Sequence, residues 1–78
     1  MKTRVILDMQ YLVVFEKAVD GFIWARVPDL EGCYSCGETI EEARDQVKNA
    51  IALYIEELTE EGKPIPQPSH LKAELVAI

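Results

Sequence analysis

Cysteine occurs only twice in these 78 residues, as Cys33 and Cys36, and histidine only once, as His70. Two cysteines three positions apart cannot build the disulfide framework of a small secreted domain, and a lone histidine leaves a zinc site short of ligands. No apolar run is long enough for a signal peptide or a membrane span, so a cytoplasmic protein with no membrane partner is expected. Basic residues are scarce: 8 lysines and arginines face 14 aspartates and glutamates, for a formal net charge of −6. Phosphate binding needs a basic excess, so no direct nucleic-acid contact is expected. Repeats, low-complexity tracts and linkers are absent, which leaves a single domain over residues 1–78. A chain this short buries only about two-thirds of the surface its unfolded form exposes, so a homodimer or higher homo-oligomer is expected.

The charge that is present is concentrated. Glu38, Glu41, Glu42, Asp45, Glu56, Glu57, Glu60 and Glu61 share one segment with Arg44 and Lys48 as its only bases. Elsewhere acids and bases balance, so the whole deficit lies between Glu38 and Glu61.

Two periodicities divide the chain. Val5, Leu7, Met9, Tyr11, Val13 and Phe15 alternate with a mixed set, which predicts one long strand or two with a bend. The turn Ala18-Val19-Asp20-Gly21 follows, then a strand over Phe22 to Val27. Pro28 to Gly32 form a second turn, and Cys33 to Gly37 a short third strand of an antiparallel meander. At Thr39 the period changes. Thr39-Ile40-Glu41-Glu42 fits a capping box, with the Thr39 hydroxyl on the Glu42 amide and Glu42 reaching back. Ile40, Ala43, Val47, Ala50, Ile51, Tyr54 and Leu58 then lie on one stripe of a helix of about 22 residues that stops at Gly62. Pro64, Pro66 and Pro68 keep the next segment extended, and Leu71, Ala73, Leu75 and Ala77 alternate as a fourth strand. The expected class is α+β in the order β-β-β-α-β, with spatial order 3-2-1-4 and the fourth strand parallel to the first. One helix covers one sheet face. Leu12, Val14, Phe22 and Trp24 are therefore candidates for an oligomer interface on the other.

Three constellations bear on chemistry. Cys33-Tyr34-Ser35-Cys36 is a CxxC, but it falls on a strand, not at a helix N-terminus, and positions three apart face opposite ways. Packed cysteines are the better reading. Asp8, Glu41 or Glu42, and Glu74 would have to converge within a few ångströms to hold two metals for a ribonuclease H-like nuclease. Glu42 has a capping role and the others read as solvated positions, so no catalytic residue, metal or cofactor is assigned. The outer helix face carries Glu42, Asp45, Asn49, Glu56 and Glu60 beside Leu53. It is either a solubilising surface or a docking site for a basic protein, for which Asp45, Leu53, Glu56 and Glu60 are the candidate contacts.

A family resemblance runs from about Tyr11 to Pro68. Its segments are Tyr11-Leu12-Val13-Val14-Phe15-Glu16, Asp20-Gly21-Phe22, Val27-Pro28-Asp29-Leu30-Glu31-Gly32-Cys33, Gly37-Glu38-Thr39-Ile40-Glu41-Glu42-Ala43 and Ala50-Ile51-Ala52-Leu53-Tyr54-Ile55. In order and spacing these resemble the HicB family of antitoxins and HicB-like proteins. The resemblance implies a partial ribonuclease H-like fold without active-site carboxylates. It also implies oligomerisation and a non-catalytic role in binding and inhibiting HicA, a small basic mRNA ribonuclease. Full-length antitoxins commonly add a C-terminal DNA-binding domain; the sequence runs to Ile78 without one, so a short form without operator binding is expected. The alternatives are a solitary oligomeric binding module without a toxin and, last, a metal-dependent nuclease.

Overall fold

The computed structural model describes residues 9–78. Strands β1 (Val14–Lys17), β2 (Ile23–Arg26) and β3 (Tyr34–Gly37) form an antiparallel sheet in the order β1-β2-β3, followed by helix α1 (Ile40–Glu60). The meander and the single helix are those expected. Both connections follow from local chemistry. Asp20 accepts the Phe22 amide at 3.0 Å while Gly21 takes a φ of 92°, which closes the first turn. Between β2 and β3, the Leu30 amide donates to the Val27 carbonyl and the Cys33 amide to the Leu30 carbonyl.

The first strand is shorter than the alternation from Val5 to Phe15 predicts. Residues 5–8 lie outside the described residues, and residues 9–13 are not in a strand. A strand extends only as far as its partner: Pro28 ends β2, so positions before Val14 have no antiparallel neighbour to bond. The inward set is nevertheless right, since Tyr11, Val13 and Phe15 pack against the core.

Helix α1 begins as its cap demands. The Thr39 hydroxyl accepts the Glu42 amide at 3.1 Å. Glu42 reaches one residue further back than a regular capping box, accepting the Glu38 amide at 3.4 Å. At the other end Gly62 has a φ of 69°; its amide bonds the Thr59 carbonyl, and the Lys63 amide that of Leu58. Those two bonds make a Schellman stop. Of the predicted stripe, Ala43 and Val47 are buried and Ala50, Ile51 and Tyr54 pack on the core. Leu58 is only half-buried and outside the core cluster, and Ile40 is 47% exposed, because the first turn precedes the point where the helix meets the sheet. At that point a Cβ on Gly37 would stand 2.7 Å from the Ala43 amide nitrogen, so only glycine allows the approach.

The core is Ala25, Val27, Leu30, Cys33, Ala43 and Val47, none more than 5% exposed. It lies between α1 and the face of the sheet carrying Ile23 and Ala25, with α1 packed chiefly over β3.

The fourth strand does not form among the described residues. Residues 63–78 form neither strand nor helix, and Leu71 and Leu75 are each 105% exposed. Alternation makes a strand only where an edge and an apolar surface receive it. Here Asp29 anchors Ser69 and His70 at the end of the sheet, and the chain beyond runs off it.

Candidate functional site

Three surfaces carry the residues singled out in the sequence. The first is α1. Asp45, Leu53, Glu56 and Glu60 are all exposed on it, Leu53 at 57%. The two flanks of the helix differ. Arg44 lies over the Phe15 ring at 5.7 Å, so the basic flank faces β1. The opposite flank lies toward β3, where Ala50, Leu53, Tyr54 and Glu57 line an open depression with Gly32, Cys33 and Tyr34. Glu61 pairs with Lys63 at 2.9 Å, and this ion pair raises the Lys63 pKa. Glu56, Glu57 and Glu60 have no such cation among the described residues. They also stand at the negative end of the helix, which has no basic residue in its last turn. Charge of that sign there costs a few tenths of a kcal/mol per group, so folding gains nothing from it.

The second surface is the open sheet face. Val14 pairs with Arg26 and Arg26 with Tyr34; Glu16 pairs with Trp24 and Trp24 with Cys36. The Trp24 and Tyr34 rings stand 5.6 Å apart, and Arg26 donates to Glu16 at 2.9 Å. Of the candidate interface residues, Val14 and Trp24 lie diagonally adjacent on this face, Phe22 directly precedes β2, and Leu12 is half-buried before β1. Phe22 and Trp24 are each 39% exposed.

The third was missed by sequence reasoning. Asp29 accepts the Ser69 amide at 3.0 Å, the Ser69 hydroxyl and, at 3.1 Å, the His70 ring nitrogen Nδ1. The Tyr11 hydroxyl donates to the Pro66 carbonyl at 2.5 Å. Together they strap residues 65–70 across the end of the sheet. The bonds from Ser69, with the adjacent His70, hold the Asp29 carboxyl at about 2. Burial, with the Asp29 charge nearby, pushes the Tyr11 phenol up. In the sequence Asp29 reads as an ordinary turn residue, and nothing local announces a contact 40 positions away. Ser69, His70 and Asp29 do not form a nucleophile–base relay, because the carboxylate binds both partners and the imidazole does not stand between them.

The remaining motifs separate in space. Cys33 is buried in the core, where desolvation pushes its thiol up, and Cys36 pairs with Trp24 on the other face; both are free thiols. Of the carboxylates weighed for metals, Asp8 lies outside the described residues. Glu42 caps α1, and Glu74 pairs with Lys72 at 2.7 Å in the exposed tail. Among the described residues no three metal-ligating side chains cluster, and no helix is long and apolar enough to cross a membrane.

Comparison with known proteins finds relatives over most of this chain. A UPF0150 protein of Synechocystis sp. is 47% identical over 57 residues, covering 73% of this chain and 72% of its own length. A UPF0150 protein of Thermoplasma acidophilum is 41% identical over 59 residues, 76% of this chain and 86% of its own. An uncharacterized 14.9 kDa protein of Haemophilus phage HP1 is 36% identical over 64 residues, but the match spans only 47% of that protein. The family described as the HicB-like antitoxin of bacterial toxin-antitoxin systems matches residues 11–77, nearly everything the structure describes. With the meander, the capped acidic helix and this match in agreement, the chain belongs to the HicB-like antitoxin family.

Proposed function

We propose that this protein binds and neutralises a small basic ribonuclease toxin of the HicA type, acting as a non-catalytic partner in the cytoplasm. The observation that carries the reading is the set of carboxylates on α1, Asp45, Glu56, Glu57 and Glu60, around the exposed Leu53. Opposite charge steers a basic protein to this surface, and a projecting leucine gives it an apolar anchor. The strand-strand-strand-helix order is in keeping with the partial ribonuclease H-like plan that the resemblance implies. The open face with Val14, Trp24 and Tyr34 favours self-association, since aromatic residues contribute large area at interfaces.

The test is inhibition of a small basic ribonuclease of the HicA type. Reversing Glu56 and Glu60 to lysine is expected to weaken inhibition about tenfold or more at low salt and to leave the helix content unchanged. Equal inhibition by wild type and variant at low salt would remove this surface from the reading.

A further inference from the structure

The edge of β3 has a geometry that the acidic helix alone does not explain. The Val27 amide donates to the Cys33 carbonyl at 3.1 Å, which makes Val27 and Cys33 a hydrogen-bonded pair. In an antiparallel ladder such pairs alternate, so Ala25 with Ser35 and Ile23 with Gly37 repeat the pattern. Tyr34 and Cys36 lie between them. Their backbone N–H and C=O groups therefore point away from β2, and among the described residues nothing bonds them. Two donors and two acceptors are presented in a row.

What flanks that edge is specific. A strand added beside β3 would lie about 4.8 Å further out. The depression lined by Gly32, Cys33, Tyr34, Leu53, Tyr54 and Glu57 is on the same side, between the start of β3 and α1. Its apolar wall suits the aliphatic stems of alternate lysine or arginine side chains of an added strand, and Glu57, with Glu60 one turn on, stands above it without a cation among the described residues. We propose that the β3 edge and this depression receive an extended, basic segment of the partner protein as an added strand. This rests on the antitoxin reading and names the element the partner presents. Main-chain bonds to Tyr34 and Cys36 supply the affinity, and lysine or arginine side chains reaching Glu57 and Glu60 supply the selectivity. Charge decides against a second copy as occupant, because this chain carries a net −6 and would bring like charge to the same edge.

The experiment is residue-resolved amide exchange on the full chain, titrated with a short peptide alternating lysine and valine. On binding, the Tyr34 and Cys36 amides are expected to slow about tenfold or more, while Ser35 and Gly37, already bonded to β2, stay as they are. A version of the peptide N-methylated on its edge-facing amides is expected to bind about tenfold more weakly, and a glutamate–valine peptide not to bind. Cys36→Pro, which removes one outward donor and no bond to β2, is expected to reproduce the loss. Equal binding of the plain and N-methylated peptides, or unchanged exchange at Tyr34 and Cys36, would overturn the proposal. So would protection of those amides that grows with protein concentration in the absence of peptide, which would assign the edge to a second copy. A basic ribonuclease that is inhibited while these amides stay open would end strand addition and leave the antitoxin role standing. Peptide-induced protection with no ribonuclease inhibited would do the reverse.

Discussion

The two faces of the sheet both carry apolar side chains, yet only one is closed. On the closed face the fully buried centre is small or medium, Ala25, Val27, Cys33 and, from the helix, Ala43 and Val47, all at most 5% exposed, while larger Tyr11, Phe15 and Tyr54 pack around it part-buried. The open face carries the Trp24–Tyr34 ring pair beside Val14 and Cys36, interleaved with the Arg26–Glu16 pair. Close approach governs which face the helix takes. A helix reaches a sheet where alanines and a glycine let the backbones near, as Gly37 does beneath Ala43. The Trp24–Tyr34 ring pair and the Arg26–Glu16 ion pair are left for solvent or a partner. Total hydrophobicity would not have distinguished the faces.

The comparison is sharpened most by Leu30, which reaches the closed core from the β2–β3 turn and is fully buried. Leu30→Ala is expected to cost about 2–5 kcal/mol in denaturant unfolding. A much smaller loss would show that the core collapses around the gap. Trp24→Ala removes a larger side chain from the open face, and in dilute solution about 1 kcal/mol is expected. Should its cost rise with protein concentration, a second copy covers that face in wild type.

Asp29→Asn addresses the strap, not either face. Its carboxyl is lowered from an ordinary 3.8 to about 2. A depressed carboxylate stabilises the fold fully above its unfolded value, and the contribution is lost as pH falls through the folded one. Exchange of the Ser69 amide, relative to its intrinsic rate, is therefore expected to accelerate between about pH 4 and pH 2 in wild type. In the asparagine variant it is expected to be fast at every pH. An unchanged wild-type profile in the variant would mean that Tyr11 and Pro66 hold the strap alone. The smallest effect belongs to Glu16 and Arg26, both more than half exposed. A double-mutant cycle there is expected to give a few tenths of a kcal/mol, vanishing in salt.

Local rules reached far along this chain. The turn at Asp20-Gly21, the threonine cap, the Gly62 stop and the inward stripe through Ala43 and Val47 follow from spacing and backbone preference, and the structure has them all. The candidate surface on α1 was legible because charge and periodicity are properties of one contiguous helix. Non-local pairing was not legible. Leu71 to Ala77 alternate like a strand but find no edge, and β1 begins late because its length is set by β2. The Asp29 clasp and the outward amides of Tyr34 and Cys36 depend on partners or register that no local pattern encodes.

By itself, then, the sequence determined the three-stranded meander, the helix with its caps and the helix's acidic character, because each depends on neighbours within a few residues. Only the tertiary structure decided which face was sealed, where the tail was anchored and which strand edge stayed unpaired. Those outcomes depend on distances between segments far apart in the chain, and on how closely their small side chains let the backbones come together.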